Sequence, residues 1–376
     1  VSEDDGTAKL DEYMQTTIIP RDYSKMLEDV ARDVDDMVNK IEAFTRESKD
    51  VERIKDIVRK DRKRVKPEDL NLEIYGVDGG EGYRTYQSVV MYLVRAVAWA
   101  STDDVLTTWR YGILTRTRTP RLRIAAIRTI LEAGIAATAA SENPDWIMLD
   151  GPIVPHHDLR GADEDSPTKR NYWGQVISTR VDMLERCEDE GVNLVGVIED
   201  CNSRHLIRFL EAQGLAKARP RLRDVAVLAD TSVLDEGERT SAFVPPYEDY
   251  PVFRTIEERS GYKIRVMYLR TTREGPPLRV EIPDFVDPDA AASVIFSTAV
   301  DYNGYGIPIH LVMADAFAKV EEGVLDWIED NIRKELIRRG REDVLTTVFK
   351  RLRRESRPKP LASKTVEADI KRRHGG

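Results

Sequence analysis

Leu72-Glu73-Ile74-Tyr75-Gly76-Val77-Asp78-Gly79-Gly80 decides how the rest of the chain is read. β-forming residues run from Leu72 to Val77, as in a buried strand. Asp78 follows directly, and two glycines then end the run. The pattern returns at Trp146-Ile147-Met148-Leu149-Asp150-Gly151-Pro152. Each stretch predicts a strand that ends on an aspartate, with a glycine that lets backbone or ligand come close. In open sheets, ligands collect beyond the carboxyl ends of strands. If the two strands are parallel neighbours, two carboxylates converge at one edge of a sheet.

The flanking sequence completes that sheet. Ser88 to Trp99 is a second apolar, β-branched run, and Leu106 to Thr119 alternates β-formers with Arg110, Arg116 and Arg118, so three strands form a meander. After Pro120, Leu122, Ile124, Ala125, Ile127, Ile130, Leu131, Ile135 and Ala136 give a helix with an apolar face too broad for the surface. Asn143-Pro144 stops it. A charged loop, 158–168, leads to a helix over 172–188, a strand over 194–198 and a helix over 204–213. Val225 to Leu228 reads as one more strand. Runs at 262–269 and 278–282 flank Gly275-Pro276-Pro277 as a β-hairpin. Helices follow over 290–300 and, as one element, over 310–338. The fold class is therefore α/β, a mixed sheet flanked by helices. No internal repeat is visible.

The two ends differ from this middle. Pro20 and Ser24 mark a helix start, and Val30, Val34, Met37, Ile41, Phe44 and Val51 recur in three- and four-residue steps. One long helix is expected there. Its stripe suits pairing with a partner or second copy as well as packing on its own domain. From Arg333 to Arg373 fifteen basic residues face six acidic ones, about +9. The expected domains are a helical arm over 1–66, the α/β domain over 67–332 and a basic helical tail over 333–376.

Composition narrows the class. The 376 residues carry 58 Lys and Arg against 67 Asp and Glu, a net charge of −9. With 41% hydrophobic residues, a sizeable core can form. Two cysteines, Cys187 and Cys201, supply neither a disulfide scaffold nor a four-thiolate zinc site, and suit a reducing compartment. No apolar run approaches the roughly 20 residues of a membrane span, and the N-terminus lacks signal-peptide features. A protein of the cytoplasm is expected.

Two further acids stand out. Glu132 lies among Ile130, Leu131, Ala133 and Ile135, where a carboxylate is costly unless paired or metal-bound. The plain alternative is solvent exposure or an ion pair with Arg128 at i−4. Asp315 lies in a small-residue helix after Asn303-Gly304-Tyr305-Gly306, near His310, with Lys319 at i+4 as an ordinary partner. Carboxylates are hard ligands suited to Mg²⁺ or Mn²⁺. Four acids on two strand ends and two helices suit a two-metal nuclease.

In these motifs the chain resembles the NurA nucleases, which have an RNase H-like core. The resemblance runs from about Leu72 to Val320. Its carriers are the segments 75–80, 128–132, 146–152, 194–198 and 303–319. It implies a manganese-dependent nuclease (magnesium being the other candidate) with two ions, 5′→3′ exonuclease and single-strand endonuclease activity. It also implies a homodimer working with a HerA-type hexameric ATPase in end resection for break repair, beside the nucleoid. By position, Asp78, Glu132 and Asp150 match the family's metal-binding acids, and Asp315 matches its late acidic or histidine position. Three departures are present: Gly80 replaces a common serine, Asp315 stands where His is frequent, and Glu199-Asp200 stand where relatives often show lysine. Arg204 is a candidate to replace that cation. Arg110, Arg116, Arg118, Arg121 and Arg123 are candidates to line a DNA channel, with a solvated charged face as the alternative. The basic tail is a candidate for DNA or for an acidic partner face.

Other signals are weaker. His156-His157-Asp158 hints at zinc, but adjacent histidines need help from their loop to reach one ion. Tyr172 and Trp173 could stack on bases, although such residues usually pack in cores. There is no GxxxxGK[ST] loop and no Gly-x-Ser-x-Gly elbow. An actin-like or sugar-kinase-like ATPase would need a duplicated domain. A non-catalytic DNA-end adaptor would keep the fold without the chemistry.

Overall fold

The computed structural model describes residues 21–45, 49–67, 71–102, 104–164, 170–199, 201–218 and 222–351. The elements in chain order begin with α1 (Arg21–Thr45), α2 (Lys49–Asp61), β1 (Lys63–Arg64), β2 (Ile74–Thr85), β3 (Val89–Ala100), β4 (Val105–Thr115) and α3 (Pro120–Ala140). Then come β5 (Trp146–Asp150), a 3₁₀ turn (His157–Arg160), α4 (Gly161–Glu164), α5 (Tyr172–Asp189), β6 (Asn193–Ile198), α6 (His205–Ala212) and α7 (Asp224–Leu228). They are followed by β7 (Glu238–Arg239), α8 (Pro251–Ser260), β8 (Ile264–Arg270), β9 (Leu278–Pro283) and α9 (Pro288–Thr298). The last are β10 (Ala299–Tyr302), β11 (Tyr305–Pro308), α10 (Ile309–Ala318), α11 (Glu322–Arg338) and α12 (Glu342–Thr347).

Nine strands form one mixed sheet in the order β1-β7-β8-β9-β6-β5-β2-β3-β4. β2, β3 and β4 are the expected antiparallel meander, while β5 lies parallel to both β2 and β6. Helices cover both faces of this mixed sheet. Strand alternation divides the core. Met148, Val195, Val197, Met267 and Val280 pack with Ile295 of α9 and Leu311 of α10 on one face. Val90, Tyr92 and Val94 pack with Ile124 and Ile127 of α3 and Val176 of α5 on the other.

Several expectations are corrected. β2 does not end at Asp78; it runs on through both glycines to Thr85. The glycines serve contact rather than termination. A Cβ on Gly79 would lie 2.6 Å from Glu132 Oε1, and one on Gly80 would collide with the Ala318 carbonyl. Residues 225–228 belong to a helix, not a strand. A four-residue apolar run fits either, and the neighbouring Asp224 carboxylate is spent capping α6, accepting from Leu206 N–H at 3.1 Å and Ile207 N–H at 3.0 Å. The expected 310–338 helix is two helices, with Lys319 extended at φ −53°, ψ 128°. The hairpin β10–β11 falls where the sequence pattern suggested only a glycine-rich turn.

The N-terminal segment is helical over α1 and α2, and residues 46–48 between them lie outside the described residues. The chain divides into compact units at 53/54. The boundary precedes residue 66 because Ile54 and Val58 of α2 are buried in the larger unit. In the first unit, α1 leaves Met26, Val30, Val34 and Met37 exposed. Beyond Arg351 the basic tail lies outside the described residues, as do Asp200 and residues 165–169 at the end of the charged loop.

Candidate metal centre

Register brings the first two acids together. Val77 pairs with Leu149, so Asp78 and Asp150 follow side by side on parallel strands. β5 stops at Asp150, where Gly151 turns the chain at φ +109°. β2 continues, so that among the described residues it has no partner strand on its β5 side past Val77, a gap in the sheet beyond the end of β5.

Helices enter this opening from both faces. On one face α10 lies close against β2, because Gly76 and Gly80 carry no side chain to hold it off. Asp78 points to that same face by alternation, and it feels the Asp315 charge. On the other face α3 lies against Gly79 and delivers Glu132. Glu132 is buried at 8% exposure between two arginines, with Arg128 Nε 3.4 Å and Arg180 Nη2 3.5 Å away. Glu132 is thus paired with Arg128 at i−4 and also feels the Asp78 charge.

Electrostatics tie the four acids into one group. Burial raises Asp150 most, and the charges of Asp78, Glu199, Glu132 and Asp315 add to it, pushing its carboxyl up to about 8. Asp78 is raised by burial and then by Asp315, with Arg128 opposing. Burial also raises Glu132, against the pull of Arg128 and Arg180. Such a cluster lacks positive charge. Arg128 supplies some, and its guanidinium is raised by Glu132, Glu81, Asp78 and Asp150 against the cost of its burial. A divalent cation is the remaining complement, and carboxylate oxygens are the right donors for Mg²⁺ or Mn²⁺.

Arg128, Glu81 and Glu199 were not anticipated as members of this site. Glu81 Oε2 is 3.9 Å from Arg128 Nε. The signal for Glu81 was hidden by reading β2 as ending at Asp78. Glu199 follows the carboxyl end of β6, the strand beside β5, and strand-end geometry alone would have pointed to it.

The remaining candidates fall into two groups. Arg110, Arg116, Arg118 and Arg121 are exposed, which suits a DNA channel and a solvated charged face alike. Arg116 donates to the Gln87 carbonyl at 3.2 Å, and Arg121 lies 5.4 Å from the Tyr83 ring centre. Arg123 is corrected: it is 2% exposed and donates to Thr115 O and Thr117 Oγ1, both at 2.7 Å, closing the turn between β4 and α3. Arg204 is also buried, 3.5 Å from Glu211, so neither arginine presents a cation to a surface ligand. His310 is buried near Trp99 and lowered by burial to about 4. It is a neutral core residue of the first turn of α10. Lys319 is exposed just after α10. Tyr172 is core, as the plain reading held.

Among the described residues, His156, His157 and Asp158 are the group whose ligand atoms all lie within 4.8 Å of one another. The 3₁₀ turn gives the adjacent histidines a common partner: Asp158 lies 3.3 Å from His156 and 3.0 Å from His157. All three are exposed. The four acids of the sheet opening do not form such a close group; Glu132 is buried, Asp78 and Asp150 are partly buried, and Asp315 is exposed on α10.

Comparison with known proteins agrees with the fold. The NurA domain family model matches residues 72–320. The crystal structure of the NurA nuclease from Sulfolobus solfataricus is similar, with a TM-score of 0.59 at 16% identity, covering 85% of this chain and 98% of that one. A crystal structure of NurA with manganese gives 0.54 at 13% identity over 82% and 98% of the two chains. One of NurA bound to dAMP and manganese gives 0.50 at 14% identity over 80% and 95%. No curated protein matches. No helix among the described residues is long and apolar enough to cross a membrane.

Proposed function

The chain belongs to the NurA family, and on that premise we propose that it is a manganese-dependent DNA nuclease whose centre is Asp78, Glu132, Asp150 and Asp315. The observation that carries this reading is Asp150, held at about 8 by burial and by four neighbouring acids. Arg128 offsets part of the negative charge around that group, and divalent cations would offset the rest. The solved NurA structures with manganese and with dAMP support the same ion and a nucleotide ligand.

In this reading the four carboxylates hold two ions. Bound there, the ions would supply an activated water and charge stabilisation for the leaving oxygen of a phosphodiester. The chain's own residues do the rest. β2 and β5 fix the two strand acids, while Gly79 admits Glu132 and Gly80 admits the end of α10. Arg128 offsets part of the carboxylate repulsion and would face phosphate oxygens at the opening. Arg110, Arg116, Arg118 and Arg121 are the proposed contacts to the DNA backbone. The finer assignments rest on family resemblance: 5′→3′ exonuclease and single-strand endonuclease activity, homodimerisation, and work with a HerA-type hexameric ATPase in end resection.

The test is cleavage of end-labelled single- and double-stranded DNA across Mg²⁺ and Mn²⁺, with Asp78→Asn as control. Metal-dependent cleavage lost in the variant is expected. Equal cleavage by both proteins would refute the assignment, and absence of ion binding by calorimetry would favour a non-catalytic adaptor.

A further inference from the structure

Behind Glu132 lies a second layer of charge that touches none of the four acids except Glu132. Arg180 of α5 is 3% exposed, and its Nη2 lies 3.5 Å from Glu132 Oε2. On its other side Arg180 is attracted by Glu281 of β9, which is 1% exposed. Glu281 in turn accepts a hydrogen bond from Val154 N–H at 2.9 Å and pairs with Arg279 at 3.2 Å. The Ile153 N–H also faces it. Ile153 and Val154 belong to the loop that leaves Asp150.

The sheet register explains how this contact is possible. Leu149 pairs with Gly196, and Gly196 pairs with Glu281. The absent side chain at Gly196 lets the loop fold flat across β6: a Cβ there would lie 2.7 Å from the Gly151 carbonyl and 3.0 Å from Ile153 N. The loop therefore lies within reach of the Glu281 carboxylate. Arg180 contacts the helix acid Glu132, Glu281 holds the loop that follows Asp150, and the opposite charges of the two buried side chains attract each other.

Buried ion pairs are weak sources of stability, since apolar replacements of similar shape often do as well or better. What they supply is fixed geometry. Glu132 and Asp150 come from different elements on opposite faces of the sheet, and an ion shared between them tolerates little error in their separation. We propose that Arg180 and Glu281 are positioning residues for the ion site, locking Glu132 to the loop that follows Asp150. This rests on the reading of the four acids as a metal centre.

The experiment measures Mn²⁺ binding to the full chain by calorimetry and, separately, the Mn²⁺ midpoint of DNA cleavage. The proteins compared are the unaltered chain, Asp150→Asn and Glu281→Gln. Glu281→Gln keeps an oxygen for the Val154 N–H and removes the charge that holds Arg180. A rise of about tenfold in both the dissociation constant and the midpoint is expected, with binding stoichiometry unchanged. A merely structural role would instead lower stoichiometry and maximal rate and leave the midpoint in place. That result, or no change at all, overturns the proposal. Should Glu281→Gln not fold, Arg180→Lys, which keeps the charge and loses the reach of the guanidinium, is read by the same two outcomes. If the unaltered chain binds no Mn²⁺, the metal-centre reading itself fails. If it binds, Asp150→Asn does not, and Glu281→Gln matches the unaltered chain, only the positioning claim fails.

Discussion

Asp150 stands abreast of Asp78, one residue past the Val77–Leu149 register pair of two parallel strands. The pair comes from the sheet itself, so removing either charge leaves the scaffold intact. Asp78→Asn and Asp150→Asn are each expected to lower metal-dependent DNA cleavage about a thousandfold, the scale of losing one ion's charge stabilisation. Initial rates on end-labelled DNA, with circular dichroism to verify folding, check this.

Asp150 also predicts how the metal-free protein responds to pH. Its folded carboxyl is raised to about 8 by burial and then by neighbouring acids, against an unfolded value of 3.8. The folded state therefore holds a proton that the unfolded state has released. This contribution is fully present below about pH 4, declines as pH rises towards about 8, and then levels off. At pH 8 the metal-free Asp150→Asn protein should be more stable than the unaltered chain by ~2 kcal/mol. Saturating Mn²⁺ should reverse that order, because an ion that binds only the folded acids stabilises by mass action. Denaturant midpoints from pH 5 to 8.5, with and without Mn²⁺, decide it. A difference that stays constant across this range would exclude Asp150 as the titrating group.

Gly79→Ala should damage stability and site together. The new Cβ would lie 2.6 Å from Glu132 Oε1 and 2.8 Å from Arg128 Cγ, so α3 must move away from β2. A loss of ~1–3 kcal/mol is expected, together with a higher Mn²⁺ requirement for cleavage. Urea unfolding and a Mn²⁺ titration measure the two effects. Unaltered stability would mean that α3 yields more easily than this contact implies.

Two arginines within one helical turn should part company. Arg121 is exposed, so Arg121→Ala should change stability by no more than ~0.5 kcal/mol. If it contacts phosphate, the slope of log affinity against log salt should fall by about 1. Arg123 is buried, and Arg123→Met strands the Thr115 carbonyl and Thr117 hydroxyl it serves, at ~1–3 kcal/mol. Its effect on DNA affinity should vanish once the folded fraction is accounted for. Fluorescence anisotropy at several salt concentrations separates the two behaviours.

The contrast between Arg121 and Arg123 also shows where sequence reading stops. Both lie in one turn of a helix beginning at Pro120, and only the packing of α3 on the meander decides which faces water. The meander and the end of β5 at Asp150 were legible because residue alternation and Asp-Gly punctuation are local signals, whereas the same punctuation at Asp78 lies inside β2. Glu132 was legible because its neighbours are apolar at helical spacing. The break between α10 and α11 was not. Ala318-Lys319-Val320-Glu321 contains neither glycine nor proline, and the chain bends there because Ala318 seats on Gly80 while Val320 and Leu325 seat on Gly82. Glu81 was missed for the same reason: a glycine pair that ends a strand locally can also serve helices that pack across it.

The seating of α10 on β2 has a metric consequence. The helix rests its His310 carbonyl on Gly76 and its Ala318 carbonyl on Gly80. Four strand steps of about 3.3 Å cover about 13 Å, and eight helix steps of about 1.5 Å cover about 12 Å. The two rulers agree, so the helix fits two notches at once, with Asp315 carried between them. Inserting or deleting a single residue between the notches, in either element, would leave one of the two contacts unmade and shift the carboxylate along the strand. The length of this segment is thus as constrained as its chemistry, although none of its residues but Asp315 needs to touch an ion.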